Sequence, residues 1–273
     1  MMSGPAIVCH GGAGHTAKDQ PGVDLAVEAG WQVLSAGGGA LEAALAAVVI
    51  MEDDPVLNAG TGGRFRADGS VQLDAAVATS DGRFGAVASL EETLNPIHVA
   101  AALLDDQVNL LVGRGAREFA DSLGVSRVAV VGSPLPTGND TVGAITRDDS
   151  GLIVVASSTG GCTGRPAGRI GDTPLPGAGL WCNENIGVAA TGIGEAITLK
   201  MSCVRIVDVR MREREGAGVA GVSGGTGVDS LQAALEWGVG QFDPSIEVGF
   251  IGLESEGSGF GFANTGMPWA TKS

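Results

Sequence analysis

Apolar positions along the chain change their period several times, and each change marks an element. Residues 5–10 form a short apolar run stopped by Gly11-Gly12, the pattern of a buried strand ended at a glycine turn. Val23, Val27, Trp31 and Leu34 then fall at helical spacing, with Asp24 in the first turn. Leu41, Leu45, Val48 and Val49 repeat that pattern after Gly37-Gly38-Gly39, so two packed helices are predicted. Residues 71–77 and 83–89 read as strands joined through Asp81-Gly82, a dipeptide suited to the backbone of a tight hairpin turn. Pro96 opens a helix over 97–104, and 115–123 carries a further helical pattern. Residues 126–139, with two prolines and two glycines, read as a connecting segment.

Beyond that segment the pattern turns to strands. Residues 141–147 and 152–158 flank a turn at 148–151, which predicts a second hairpin, and a long Gly/Pro-rich stretch follows. Residues 187–191 are apolar, 194–209 are mixed, 230–237 are helical, and 246–253 and 259–263 close the chain as strands. Runs of helices and runs of strands, in place of strict strand–helix alternation, predict a layered α+β architecture.

Composition then limits what such a fold can do. A chain of 273 residues, 44% hydrophobic and 17% charged, suits a globular protein with a deep core, and its 46 glycines imply many tight turns and close approaches. Its 31 acidic and 16 basic residues give a net charge of −15, which repels phosphate backbones and anionic membrane surfaces; neither nucleic acid nor a membrane is expected as a partner. The apolar run 43–51 is far short of the ~20 residues a spanning helix needs, and the N-terminus lacks a secretory pattern, so a cytoplasmic location is expected. Cys9, Cys162, Cys182 and Cys203 are scattered without a Cys-x-x-Cys pair, which predicts reduced, mostly buried thiols.

Glycine richness manufactures motif matches, and two fail on context. Residues 12–17 spell Gly-x-Gly-x-x-Ala behind a strand, but Pro21 and Gly22 fall where the following helix should continue. Residues 221–225 imitate the Gly-x-Ser-x-Gly nucleophile elbow, yet that fold needs a histidine after its serine, and the histidines are His10, His15 and His98. No lysine follows a glycine, so a phosphate-binding Gly-Lys-Ser/Thr loop is absent. With so little histidine and no His-Glu-x-x-His, a hydrolase of this sequence needs another base. The α-amine of an N-terminal nucleophile is one, and it requires chain cleavage.

Four segments after the linker line up with that solution: Gly138-Asn139-Asp140-Thr141-Val142-Gly143, Ser158-Thr159-Gly160-Gly161, Gly168-Arg169-Ile170-Gly171-Asp172-Thr173-Pro174, and Thr191-Gly192-Ile193-Gly194-Glu195. Upstream, His10-Gly11-Gly12-Ala13-Gly14, the run Glu52 to Gly62, Leu73-Asp74-Ala75 and Asn95-Pro96-Ile97 extend the pattern in order over most of the chain. Together they resemble the isoaspartyl peptidase/L-asparaginase family, the plant-type asparaginases among N-terminal-nucleophile hydrolases. The resemblance implies a four-layer αββα sandwich in a single domain, residues 1–273, cut between Asp140 and Thr141 into an alpha subunit, 1–140, and a beta subunit, 141–273.

The resemblance also assigns roles. Thr141 is the nucleophile; taken alone it is a β-branched residue opening a strand, as propensity favours. Thr159 tunes its oxygen, its ordinary role being a hydroxyl that caps the following glycines. Arg169 and Asp172 grip the α-carboxylate and α-ammonium of an amino acid, against the plainer reading of a loop salt bridge worth ~0–1 kcal/mol. Thr191 and Gly192 form the oxyanion hole, and Gly194 lies beside the substrate ammonium. Asn58 braces the site. Backbone carbonyls of Met51, Glu52, Asp54, Leu57, Ala59 and Thr61 hold a structural sodium ion, no other cofactor being implied. The implied reaction is hydrolysis of L-asparagine or β-aspartyl dipeptides through a threonine acyl-enzyme, in a homo-oligomer, a dimer of alpha/beta heterodimers. Two alternatives stand beside it: an N-acetylglucosaminyl-asparaginase, and a non-processed small-ligand binding homologue.

Overall fold

The structure is a computed structural model that describes residues 4–14, 16–133, 140–215 and 228–273. Strand β1 (Ala6–His10) leads into helices α1 (Gln20–Ser35) and α2 (Ala40–Asp53), then a hairpin of β2 (Leu73–Thr79) and β3 (Phe84–Leu90). Next come α3 (Pro96–Ala102), β4 (Leu110–Val112) and α4 (Gly113–Ser122). The second half opens with the hairpin β5 (Val142–Arg147) and β6 (Ile153–Thr159), then β7 (Leu180–Cys182), β8 (Ile186–Gly192), α5 (Gly194–Lys200) and α6 (Ser202–Arg214). It ends with α7 (Leu231–Val239), β9 (Val248–Glu254), β10 (Phe260–Ala263) and β11 (Trp269–Lys272).

Among the described residues these strands make a seven-stranded sheet, ordered β11-β1-β5-β6-β2-β3-β4, and a four-stranded sheet, ordered β10-β9-β8-β7. All pairings are antiparallel except β3 with β4. Because a strand's side chains alternate faces, each sheet can feed two cores, and both do. Ile7 and Cys9 of β1, with Val154 and Ala156 of β6, pack under α1 to α4. Their neighbours Ala6, Val8, Ile153 and Val155 face the other way, onto Ala189 of β8 and Ile251 and Leu253 of β9. Val188, Ala190, Val248 and Phe250 turn outward against α6 and α7. Three apolar layers between four layers of elements are the expected αββα sandwich. The central strands lack the polar alternation of a half-exposed sheet because both of their faces are covered.

The halves on either side of residue 140 are interleaved. β5 and β6 lie between β1 and β2, and β11 pairs with the outer side of β1, so neither half owns the large sheet. The turn after β5 also serves the first half: Ala40 N–H donates to Asp148 Oδ2 at 2.9 Å, capping α2, and Thr146 Oγ1 donates to Ala40 O at 2.7 Å.

Several local expectations need correction. Pro21 and Gly22 do not interrupt a helix; they lie in the first turn of α1, where proline's missing N–H costs nothing. The dinucleotide reading still fails, because β1 runs antiparallel to both neighbours and no βαβ unit follows it. The mixed stretch 194–209 is two helices, broken at Met201, whose φ is 48°. The short strands β4, β7 and β11 are too brief to show a period of two. His15, Gly138, Asn139 and the elbow-like residues 221–225 lie outside the described residues. No described helix is long and apolar enough to cross a membrane.

Phe250 is fully buried between the small sheet and α7. Phe250→Ala is expected to cost about 3–5 kcal/mol in denaturant unfolding, through lost transfer energy and the cavity left behind.

Candidate active site

Antiparallel pairing puts the start of one strand beside the end of its neighbour. Thr141 immediately precedes β5, Thr159 ends β6, and Val142 pairs with Ser158, so the two threonines meet at one edge of the large sheet. The sheets are stacked, and β8 ends beneath that edge at Thr191-Gly192. Three hydroxyls far apart in the chain thus reach one point.

Their hydrogen bonds centre on the Asp140–Thr141 peptide. The Asp140 carbonyl oxygen accepts from Asn58 Nδ2 at 2.8 Å and from Thr159 Oγ1 at 2.9 Å. Asn58 Nδ2 also donates to Gly161 O at 2.7 Å, and Thr159 Oγ1 accepts from Gly161 N–H at 3.1 Å, so both donors are themselves held. On the other side of the peptide, Thr141 N–H donates to Thr191 Oγ1 at 3.2 Å, which also accepts from Ala13 N–H at 3.0 Å. The Thr141 and Thr173 hydroxyls lie 3.3 Å apart. All of these side chains are buried.

A narrow cleft opens over Thr141, and Arg169, Asp172, Thr159, Gly192 and Gly194 line it. Gly192 has φ 131°, and a Cβ there would lie 2.2 Å from Glu247 O, so only glycine can turn the chain at this point. A Cβ on Gly194 would meet Asp172 Oδ1 at 2.9 Å and Arg169 Nη2 at 3.1 Å; its absence lets the two charged side chains share the space.

The expected pair is not a direct salt bridge. Arg169 makes a two-pronged contact with Glu195, Nε to Oε1 at 3.0 Å and Nη2 to Oε2 at 2.6 Å. Burial works against the Arg169 charge, and the Glu195 carboxylate more than offsets it, leaving the guanidinium's pKa above its ordinary value. Asp172 is buried beside it; desolvation pushes its carboxyl up to about 7 against the pull of a backbone N–H and of Arg169. Behind them Asp74, which accepts Ser89 N–H at 2.7 Å, is raised by burial to about 6. Arg66, also buried, faces Asp74 and donates to Gln72 O at 3.0 Å. Three buried ionisable side chains, Asp172, Asp74 and Arg66, therefore stand with the partly buried Arg169 around and behind the cavity.

The loop after α2 supplies Asn58. A Cβ on Gly60 would lie 2.5 Å from Glu52 O and 2.6 Å from Leu94 O, and one on Gly62 would lie 1.9 Å from Leu57 O. Glycine thus lets the Glu52 and Leu94 carbonyls approach the chain at Gly60 and the Leu57 carbonyl approach it at Gly62. Among the described residues no group of three or more His, Cys, Asp or Glu side chains could hold a metal ion. The Glu52 side chain points elsewhere, accepting Ser158 Oγ at 2.6 Å and Ile97 N–H at 3.2 Å, and burial raises its carboxyl to about 8.

The cavity gathers Asp140, Thr141, Thr159, Arg169, Asp172, Gly192 and Gly194 from among the expected residues. Asn58 and Thr191 lie one hydrogen bond behind it. Thr173, Glu195, Ala13 and Arg66 had no assigned role in the sequence reading. Thr173 and Glu195 stand inside the quoted motifs next to residues that were singled out, and Arg66 is a cation in a glycine-rich loop, the available signal for each. His10 is fully buried beside Gly143, and burial lowers its pKa to about 3, so it stays neutral.

An α+β sandwich with a buried threonine just before a central strand, and two side-chain donors on the carbonyl that precedes it, has the makings of a hydrolase site. The chain belongs to the asparaginase family: a sequence model of that family matches residues 3–131 and 131–272. It is 36% identical over 240 residues to the isoaspartyl peptidase/L-asparaginase of Danio rerio, covering 77% of this chain and 76% of that protein. Identity to the plant-type L-asparaginase of Pyrococcus furiosus is 36% over 242 residues, 73% and 77% of the two chains. With the human isoaspartyl peptidase/L-asparaginase it is 34% over 236 residues, 74% and 75%.

Glu52 sits one residue behind Thr159 through Ser158, and its titration is expected to show in stability. Its folded pKa, about 8, lies above the ordinary value of 4.5, so the folded state favours the protonated form, and stability is lost as pH rises through about 8. Glu52→Gln keeps an acceptor for Ser158 and Ile97 without the charge. Melting temperatures from pH 6 to pH 9 should therefore fall less in the variant than in the wild type; equal falls would deny the burial cost.

Proposed function

We propose that the chain cuts itself between Asp140 and Thr141 and then hydrolyses the side-chain amide of L-asparagine and the isopeptide bond of β-aspartyl dipeptides through Thr141. The observation that carries the reading is the hold on the Asp140 carbonyl by Asn58 at 2.8 Å and Thr159 at 2.9 Å, with the Thr141 hydroxyl on the next residue. Two donors on a carbonyl that is about to become tetrahedral stabilise the developing oxyanion. The names of the relatives, isoaspartyl peptidase/L-asparaginase and plant-type L-asparaginase, support the substrate class.

In the first stage Thr141 Oγ bonds to the Asp140 carbonyl carbon, the C–N bond breaks, and the hydroxyl proton passes to the departing amine. Water then hydrolyses the ester, leaving an Asp140 carboxylate and a free Thr141 amine. In the second stage the new amine, with an ordinary pKa of about 7.7–8.0, takes the proton of its own hydroxyl. Thr159, released from the Asp140 carbonyl, is free to hydrogen-bond the Thr141 oxygen. That oxygen attacks the substrate amide while the Thr191 hydroxyl and Gly192 N–H meet the oxyanion. The protonated amine gives that proton to the leaving nitrogen, ammonia or an amino acid departs, and water hydrolyses the acyl-enzyme ester to aspartate and the free threonine hydroxyl. Arg169 takes the substrate carboxylate and Asp172, beside Gly194, its ammonium.

A cation held by the carbonyl loop fits the same scheme, since oxygen ligands suit a hard ion and the glycines let Glu52 and Leu57 carbonyls come close to the chain at Gly60 and Gly62. Its charge would balance those dipoles and stiffen the loop that presents Asn58. After cutting, the halves 1–140 and 141–273 would stay together as alpha and beta subunits of one domain because their strands interleave in one sheet. The reading also carries a dimer of such heterodimers and action in the cytoplasm on a small substrate.

Intact-mass analysis of the purified protein should give two fragments dividing before Thr141, with ammonia released from L-asparagine. Thr141→Ala should remain whole and lose activity by about 10³-fold or more, since nucleophile and base vanish together. A wild-type chain that stays full length after long incubation would refute the scheme. Arg169→Ala should be cut normally and show a raised KM.

The pH profile offers a separate check. Asp172, with its carboxyl near 7, and the Thr141 amine must both be deprotonated, so kcat/KM should fall as pH drops, with a log–log slope approaching two below about pH 6. Asp172→Asn should reduce that slope to one; an unchanged slope would exclude Asp172 from substrate binding.

A further inference from the structure

We propose that Arg64 is a positioning residue for cleavage of the Asp140–Thr141 bond, holding the Asp140 side chain so that its carbonyl stays on Asn58 and Thr159. The inference rests on the self-cleavage reading above and adds a residue to it.

Arg64 is fully buried, at 0% exposure, in the glycine-rich loop that also carries Asn58. Its Nη2 lies 3.9 Å from Asp140 Oδ2, and its Nη1 donates to Gly62 O at 3.2 Å. Asp140 is itself only 2% exposed. The backbone of the same loop reaches the other flank of the segment before the cleavage point: Arg64 forms a parallel bridge with Ser133, and Ser133 N–H donates to Gly63 O at 2.9 Å. Arg64 therefore meets both residues that border 134–139, one through its backbone and the other through its charge.

A guanidinium without solvent costs several kcal/mol unless a charge opposes it, and an apolar side chain would fill the same space without that cost. Burial does depress the Arg64 pKa, and the carboxylate that raises it again is Asp140. The pair thus explains why a cation stands in this loop at all. Its effect is geometric. Asn58 fixes the Asp140 carbonyl, and Arg64, six residues further along the same loop, fixes the Asp140 side chain; two points on one residue hold the plane of its carbonyl. The attack of Thr141 Oγ on the Asp140 carbon needs that plane, because a misplacement of about 1 Å can cost about 10²-fold in rate.

The test follows cutting from the moment of synthesis, in a cell-free system, by intact mass, with a melting temperature for each full-length chain. Arg64→Met is expected to slow cutting by about 10- to 100-fold, and Arg64→Lys, which keeps the charge, to restore most of the rate. Asp140→Asn should slow it comparably, and adding Arg64→Met to Asp140→Asn should slow it no further. Asp140→Asn also serves if Arg64→Met does not fold. Variants that fold and are cut at the wild-type rate, or losses that add in the double variant, overturn the role of Arg64 while leaving self-cleavage intact. A wild-type chain that is never cut overturns both.

Discussion

One carbonyl oxygen, that of Asp140, joins the separate parts of this molecule. Asn58 arrives from the loop after α2 and Thr159 from the end of β6, and each spends its donor on that atom. Neither could do so without the sandwich. The first half supplies β1 and β2, between which the second half inserts β5 and β6, and the fit of β5 against β6 brings Thr159 level with Thr141. A fold that buries strands from both halves in one sheet can lose the covalent link at residue 140 without losing the surfaces that hold it together, since hydrophobic burial does not depend on chain continuity.

Around this point the molecule places charge where it is expensive. Arg64, Arg66, Asp74, Asp140 and Asp172 are each less than a tenth exposed, inside a chain whose net charge is −15. Asp74, Asp172 and Glu52 all have carboxyl pKa values raised by burial, so the site stands near its own titration range at neutral pH. Such an arrangement is costly for folding, and buried charges are kept where a ligand or a reacting bond uses them. The tie between Arg169 and Glu195 at the edge of the cavity fits the same logic: it holds a planar guanidinium in one orientation before any substrate enters.

Much of this was legible in the chain itself because the signals are local. The hairpins at Asp81-Gly82 and at 148–151, the helix after Pro96 and the apolar runs of the central strands depend on neighbours in sequence, and β2 with β3, α3, and β5 with β6 formed as expected. The site threonines, Arg169 and Asp172 were legible only as an ordered set of motifs. What escaped was whatever needs three dimensions. Thr173 meets Thr141 from 32 residues away, and Ala13 meets Thr191 from 178 away. The strands β4, β7 and β11 exist only because a sheet edge was there to receive them.

The sequence by itself determined the period of each element, the net acidity of the chain, and the identity of the groups that could do chemistry without histidine, since these follow from composition and near-neighbour spacing. Tertiary structure alone decided which of those groups meet. It paired Arg169 with Glu195 instead of Asp172, set Arg64 against Asp140, and aimed Thr159 at a backbone oxygen. The reason is that hydrogen bonds and ion pairs act over about 3–4 Å, a distance that strand order and layer stacking control and that no linear spacing encodes.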